Sequence, residues 1–175
     1  MHDSEFIDKG YAGFRFSELK FNEGNEIFYP MIKTPDRIED LAMEMARKII
    51  SAYEYGSYNR LNLVGVGTSG AILLYAVERA IQRRSPYEPT LIQVKKQDTN
   101  CHRYQVESSD PVNSNTDNLV VFVDDFIGGG DTLSYARAQL RESEGVDVNA
   151  ICVSGRVQDS VLDGNIDWVI AGSVH

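Results

Sequence analysis

Hydrophobic residues in this chain form two kinds of pattern, short predominantly apolar runs and longer stretches with helical spacing. The runs have the length of strands and cover residues 61–66, 90–94, 119–123, 150–153 and 168–171. In the longer stretches apolar residues recur every three or four positions, as on the buried face of a helix. Those stretches predict helices over residues 36–52, 71–84 and 133–144. Strands that alternate with helices are joined by right-handed crossovers, so the pattern predicts an α/β fold with a mainly parallel central sheet and flanking helices.

The N-terminal region lacks this alternation. Residues 1–13 are polar with scattered aromatics and predict an irregular arm. Apolar residues on both sides of the turn-like segment 22–25 (Asn-Glu-Gly-Asn) predict a β-hairpin over residues 14–31. Residues 34–36 (Thr-Pro-Asp) predict a helix start, because a hydroxyl can cap the first turn and proline is favoured within it.

The length of 175 residues fits one domain, with the arm and hairpin in 1–34 and the α/β core in 35–175. The formal net charge is −9, and a surface so acidic repels a polyanion, so we expect no nucleic-acid partner. No apolar run approaches the ~20 residues of a membrane-spanning helix, and the acidic N-terminus has no apolar signal core. Cys101 and Cys152 form no metal-ligand pair, so a reduced cytoplasmic location is expected.

Residues 97–118 are polar and rich in Asp, Asn and Ser, which predicts a long exposed loop. Loops of this length are uncommon inside compact domains and are often functional. Because few large apolar residues would hold it down, we expect the loop to be mobile and to act as a lid. Trimming residues 99–114 should then change the free energy of unfolding by no more than about 1 kcal/mol.

The most specific chemical signal is the segment 120–132. Two adjacent acids, Asp124 and Asp125, leave the end of a buried strand, and a glycine-rich turn then opens a helix. Helix-start amides bind phosphate, glycines let the backbone approach a ligand, and carboxylates accept hydrogen bonds from sugar hydroxyls. The segment predicts a site for a polyhydroxylated phosphate ester, with both acids facing the ligand and with no structural partner that demands their charge. The same residues could also form a strand followed by a solvated acidic turn, and this alternative stays open.

The string Leu-Val-Val-Phe-Val-Asp-Asp-Phe-Ile-Gly-Gly-Gly-Asp-Thr resembles the motif with which type I phosphoribosyltransferases bind diphosphoribosyl diphosphate (PRPP). The resemblance implies that Asp124 and Asp125 hold the ribose hydroxyls, close to a Mg²⁺ ion that PRPP carries. The residues implied to wrap the 5′-phosphate are Gly128, Gly129, Gly130, Asp131 and Thr132. Many members have Thr-Thr-Gly or Asp-Thr-Gly where this chain has three glycines, and Asp131 places a negative charge beside the phosphate.

A second glycine-rich segment, residues 64–70 (Val-Gly-Val-Gly-Thr-Ser-Gly), resembles the short loop that binds pyrophosphate in the same family. The residues implied to contact pyrophosphate are Gly67, Thr68, Ser69 and Gly70. The segment also matches Gly-x-Gly-x-x-Gly, the dinucleotide fingerprint, which requires an acid at the end of the next strand. Lys95 and Lys96 stand there instead, which weakens the dinucleotide interpretation.

Lys95, Lys96, His102 and Arg103 resemble the basic cluster of orotate-type members, which continues into a loop that closes over pyrophosphate. The resemblance implies catalytic roles for Lys95 and His102 and substrate binding by Lys96 and Arg103. A solvated basic loop with a surface histidine explains His102 and Arg103 equally well. The predicted hairpin is similar to the hood of the same group.

Arg156 and Trp168 stand at places comparable to those where purine-type members contact and stack on the base. A surface arginine and a half-buried tryptophan are the alternative. The resemblance as a whole implies an enzyme that transfers the phosphoribosyl group from PRPP to a nitrogenous base, with Mg²⁺ as cofactor and a possible homodimer. The divergent glycine loop keeps a second hypothesis open, a non-catalytic protein of the same fold that senses PRPP or a nucleotide.

Overall fold

The computed structural model describes residues 13–14, 35–95, 106–125, 127, 130–153, 166 and 168–171. The helices in this part of the chain are α1 (Pro35–Tyr55), α2 (Gly67–Arg84) and α3 (Asp131–Ser143). The strands are β1 (Gly13–Phe14), β2 (Arg60–Val66), β3 (Thr90–Val94), β4 (Val106–Ser108), β5 (Asn118–Val123), β6 (Ala150–Val153) and β7 (Trp168–Ala171). None of these helices is both long and apolar enough to cross a membrane.

The strands form one sheet in the order β1-β7-β6-β5-β2-β3-β4. The five strands from β7 to β3 are parallel, while β1 and β4 are antiparallel additions at the two edges. The predicted α/β class with a mainly parallel sheet is therefore confirmed. All five predicted strands form, and their ends differ from prediction by at most one residue.

Helices cover both faces of the sheet, so its parallel strands are apolar on both sides. Along β5, Leu119 and Val121 join the core under α1 and α2, whereas Val120 and Phe122 join the core under α3. This period of two is the alternation of side chains along a strand. It explains why β5 appears in the sequence as an uninterrupted apolar run.

Glycines with positive φ decide where two helices begin. Gly67 has φ 69°, and α2 starts there, directly after β2 and four residues before the predicted start at Ala71. Gly130 has φ 90° and precedes α3, which starts at Asp131, two residues before the predicted Leu133. Glycine tolerates these conformations because it has no Cβ. The apolar spacing that predicted both helices misses their polar first turns.

The long-loop prediction was wrong for residues 106–112. Residues 106–108 form β4, which pairs antiparallel with β3. The backbone N–H of Ser109 donates to the Leu91 carbonyl at 2.9 Å, and the Leu91 N–H donates to the Ser109 hydroxyl at 3.0 Å. Val106 and Val112 pack against the core. A three-residue strand is too short to show a sequence period, and residues 96–105 lie outside the described part of the chain.

Most of the arm and hairpin prediction also lies outside the described residues. Gly13 and Phe14 are the exception, because they form β1 and pair with Ile170 and Val169 of β7. Phe14, with which the predicted hairpin begins, therefore extends the central sheet at one edge.

Candidate functional site

The strand order reverses between β2 and β5, which are parallel neighbours at the centre of the sheet. From β2 the chain passes through α2 to β3 on one side, and from β5 it passes through α3 to β6 on the other. In open α/β sheets ligands bind at the carboxyl ends of the strands at such a reversal. Both glycine-rich segments begin at these two strand ends.

Strand register brings the acid pair, the start of α2 and Lys95 to one edge of the sheet. Val64 is paired with Phe122, so Asp124 comes level with Val66, about one strand spacing (~5 Å) away. Val66 is paired with Val94 on its other side, so Lys95 comes level with Gly67. The residues that the sequence singled out as an acid pair, a glycine loop and a cation thus meet at the reversal point.

The acid pair leaves β5 in a half-buried turn. The Asp124 N–H donates to the carbonyl of Cys152 at 3.1 Å, which ties the turn to β6. The Asp125 N–H donates to Asp124 Oδ1 at 2.8 Å. The Asp124 carboxylate thus organises its own turn. An amide oxygen could accept the same hydrogen bond, so the prediction that no structural partner demands the charge of either acid stays a prediction.

The phosphate-loop prediction is described in part, because Gly128 and Gly129 lie outside the described residues. Ile127 is only 4% exposed and anchors the loop in the core under α3. Gly130 accepts a hydrogen bond from the Ser134 N–H at 2.9 Å, the first bond of α3. Asp131 and Thr132 follow it and are exposed, so the loop is fixed at its base while its polar residues face outward.

The start of α2 is packed unusually close to β2. A Cβ on Gly65 would lie 2.8 Å from the Gly70 carbonyl oxygen, and a Cβ on Gly70 would lie 3.2 Å from the Gly65 carbonyl carbon. Gly70 thus has a packing role that the resemblance did not predict. Thr68 and Ser69 lie in the first turn, and their side chains are outside the description.

The first turn of α2 favours an anion. It contains no acidic residue, and the preceding Val66 has no side-chain acceptor for the first amides. The positive end of the helix dipole therefore faces the carboxyl edge of the sheet without a negative charge in its own first turn. The first turn of α3 contains Asp131, so α2 offers the more favourable site for a highly charged group.

Lys95 is already paired. Its Nζ lies 2.6 Å from Glu107 Oε1, and the two side chains are 44% and 53% exposed. The Tyr135 hydroxyl of α3 donates to the Lys95 carbonyl at 3.2 Å, which ties the end of β3 to α3. Sequence reasoning missed both Glu107 and Tyr135, because neither lies in a motif and their partners are remote in sequence.

The described structure does not place every predicted site residue at this edge. Lys96, His102, Arg103 and Arg156 lie outside the described residues. The backbone of Trp168 is level with Ala150 and hence with Val121. Trp168 therefore lies three residues short of Asp124, roughly 10 Å back along the strand direction. Its side chain is outside the description.

Cys152, whose carbonyl holds Asp124, has no acid–base role. It is fully buried on β6, and burial raises the pKa of its thiol well above the usual range. The nearby Lys48 opposes this shift without cancelling it. The thiol is therefore neutral at physiological pH and acts as a small apolar side chain.

The carboxylates fit a metal that is carried by a ligand. Among the described residues, no group of three or more His, Cys, Asp or Glu side chains is placed to hold a metal ion. Protein-bound Mg²⁺ is commonly held by one or two carboxylates together with substrate phosphates. The half-buried pair Asp124 and Asp125 matches that donor set.

A separate half-open cleft of about 640 Å³ lies near the amino ends of β2 and β3. Its lining consists of Tyr53, Asn59, Arg60, Leu61, Asn62, Pro86, Tyr87, Glu88, Thr90, Asp110, Pro111 and Asn113. None of the residues predicted to bind ligand lines this cleft, so its size does not make it the candidate site.

Comparison with known proteins shows the fold. No protein-family model matches the chain, and no curated protein matches it. Among solved structures, an orotate phosphoribosyltransferase from Francisella tularensis is similar with a TM-score of 0.56 and 17% identity, over 86% of this chain and 69% of that one. The UMP synthase of Leishmania donovani is similar with a TM-score of 0.50 and 18% identity, over 86% of this chain but only 30% of the UMP synthase chain.

A third similar structure is a hypothetical protein from Neisseria gonorrhoeae with bound ppGpp. Its TM-score is 0.51 and its identity 16%, over 87% of this chain and 85% of that one. The chain therefore has the type I phosphoribosyltransferase fold, as the sequence resemblance implied.

Proposed function

We propose that this protein is a phosphoribosyltransferase that moves the phosphoribosyl group from PRPP to a nitrogenous base and releases pyrophosphate. The observation that carries the proposal is the meeting of the acid pair, the start of α2 and Lys95 at the strand reversal. One edge thus offers hydrogen-bond acceptors for a sugar beside two helix starts suited to phosphates. PRPP has a sugar with a phosphate group on each side.

The geometry suggests a role for each part. Asp124 and Asp125 would accept hydrogen bonds from the ribose hydroxyls, and residues 130–132 would hold the 5′-phosphate at the start of α3. The first turn of α2 and Lys95 would hold pyrophosphate. Mg²⁺ bound to the diphosphate would supply charge neutralisation of the leaving group. The protein's own contribution is electrostatic, because fixed amides and carboxylates stabilise opposite charges as the glycosidic bond breaks.

A second candidate function is nucleotide binding without transfer. A solved structure with the same fold contains ppGpp, so this scaffold also occurs with a bound nucleotide. In this chain the exposed Asp131 puts a negative charge in the first turn of α3, which weakens a site for a 5′-phosphate. A sensor of PRPP or of a nucleotide tolerates that weakness better than an enzyme that must orient its substrate for reaction.

Two measurements on the same protein separate the candidates. Thermal unfolding with millimolar PRPP and Mg²⁺ should show stabilisation, about 2.7 kcal/mol at a hundred times the dissociation constant. Turnover of labelled PRPP against a panel of purine and pyrimidine bases should release pyrophosphate. Stabilisation without turnover would favour the sensor, and the absence of both would reject the PRPP site. Mg²⁺ dependence, a homodimer, a cytoplasmic location and the roles of His102, Lys96, Arg103, Arg156 and Trp168 stay predictions.

A further inference from the structure

A row of three paired positions runs across the sheet beside the start of α2. Gly65 of β2 is paired with Gln93 of β3, and Gln93 is paired with Glu107 of β4. The row begins under α2, since Gly70 in the first turns of that helix approaches Gly65 closely. It ends at Glu107, two strand spacings or roughly 10 Å away.

Strand alternation places the members of this row on the same face as α2. Leu91 belongs to the core under α1 and α2, whereas Ile92 and Val94 belong to the core under α3. Gln93 and Lys95 therefore share the face of Leu91. Glu107 stands directly opposite Gln93, so it shares that face as well. The Lys95–Glu107 pair thus lies on the side of the sheet where the positive end of α2 emerges.

We propose that Glu107 is a specificity-determining residue of the anion site, because its carboxylate holds Lys95 until a phosphate takes its place. The proposal rests on the proposed function, which assigns pyrophosphate to α2 and Lys95. An ammonium group bound to a carboxylate neutralises a second anion less completely, and the displaced carboxylate repels that anion. Glu107 therefore lowers the affinity for phosphates in proportion to their charge.

The exposure of the Lys95–Glu107 pair allows a phosphate to replace the Glu107 carboxylate on Lys95. Both side chains are about half exposed, and exposed ion pairs are weak in water, so an incoming ligand can break this one. The pair between Arg137 of α3 and Asp147 is different, because Arg137 is only 6% exposed and binds Asp147 through two hydrogen bonds. Lys95 is thus held at the site by a contact that an incoming phosphate can replace.

The test is calorimetric titration of the protein with pyrophosphate and, separately, with inorganic phosphate. Glu107→Gln keeps the shape of the side chain and removes its charge, so pyrophosphate binding should tighten by up to about fivefold. Phosphate binding should tighten less. Glu88→Gln is the matched control. It removes one negative charge near the amino end of β3, far from the carboxyl ends of the strands where the candidate site lies, and it should change neither affinity. Thermal unfolding of each variant verifies that β4 remains paired.

Lys95→Ala and the double variant with Glu107→Gln decide the mechanism. If Glu107 acts by holding Lys95, most of the increase in pyrophosphate affinity that Glu107→Gln produces should disappear in the Lys95→Ala background. An equal increase in pyrophosphate affinity in the Lys95→Ala background would overturn the proposal in favour of a general charge effect. An equal increase in Glu88→Gln would do the same. If the wild type binds pyrophosphate and Glu107→Gln binds it with the same affinity, the proposal for Glu107 is overturned while the proposed function stands. Absence of pyrophosphate binding in every variant would reject the anion site and the proposal together.

Discussion

A Cβ atom on Gly65 would lie 2.8 Å from the carbonyl oxygen of Gly70, so β2 and α2 meet backbone to backbone. Gly65→Ala must push the first turns of α2 away from the strand, because both contacting groups are backbone. We expect the free energy of unfolding to fall by about 1–3 kcal/mol, as in other overpacked cores, with weaker pyrophosphate binding. Urea denaturation and calorimetry measure the two effects.

Gly70→Ala is the matched control for that substitution. Its Cβ would approach Gly65 only to 3.2 Å, and alanine is the better helix former. Its cost should therefore be clearly smaller than that of Gly65→Ala. Equal losses in the two variants would mean that the close approach does not set the position of α2.

The Asp124→Asn and Asp125→Asn double variant tests the proposed sugar site. The amide oxygen of an asparagine at position 124 can still accept the hydrogen bond from the N–H of residue 125, which is 2.8 Å long in the wild type. The fold should therefore survive, while thermal stabilisation by PRPP and Mg²⁺ should largely disappear because the carboxylate charges are gone. Normal PRPP stabilisation in the double variant would show that the acids do not bind the ligand. Unfolding would show that the charges are structural.

Asp147 gives a prediction about pH. Burial favours its neutral form, but hydrogen bonds and charges from Arg137 and Arg141 outweigh burial and lower the pKa of its carboxyl group below the ordinary 3.8. Arg137 donates from Nε at 2.9 Å, and Arg141 donates from Nη2. A lowered folded-state pKa stabilises the protein above the unfolded-state value, and that stability is lost as pH falls through the folded-state pKa.

The variant Asp147→Asn should therefore lose stability at pH 7 by about 1–3 kcal/mol, since the buried Arg137 keeps only a neutral partner. The difference from wild type should begin to shrink below about pH 4, because the unfolded state then binds the proton more readily than the folded state. It should continue to shrink until the pH falls below the folded-state pKa of Asp147. Urea denaturation from pH 3 to pH 7 measures both effects. Asp110→Asn, at an exposed position, is the control. A difference that is constant over this range would contradict the ion-pair explanation.

The observed β4 changes the expected result of trimming the long polar segment. Replacing residues 99–114 with a short glycine linker removes β4 and both hydrogen bonds between Ser109 and Leu91. The free energy of unfolding should then fall by more than the ~1 kcal/mol expected for an exposed loop. A deletion confined to residues 97–105 spares those contacts and should cost less. Chemical denaturation of the two deletions compares them, and equal losses would mean that β4 does not stabilise the sheet.

The sequence was sufficient where the signal is local. Five consecutive apolar residues predicted β5, and the acids that follow them were correctly expected at its carboxyl end, because both are properties of one segment. The Lys95–Glu107 pair and the contact between Gly65 and Gly70 were not predicted. The first depends on the register of two strands, and the second on how closely a helix returns to its strand. Periodicity within one segment carries neither kind of information.

The placement of β5 on the far side of β2 from β3 has a consequence for folding kinetics. Asn62 donates to Asn118 Oδ1 at 3.0 Å across 56 residues of chain, whereas β3 follows β2 after a single helix. Contacts between distant segments form slowly, because a long stretch of chain must first be ordered to close the loop. The unit β2-α2-β3 already carries the helix start and Lys95, but the acids arrive only with β5. We therefore expect the complete ligand edge to appear only when β5 pairs with β2, after the unit β2-α2-β3 has formed.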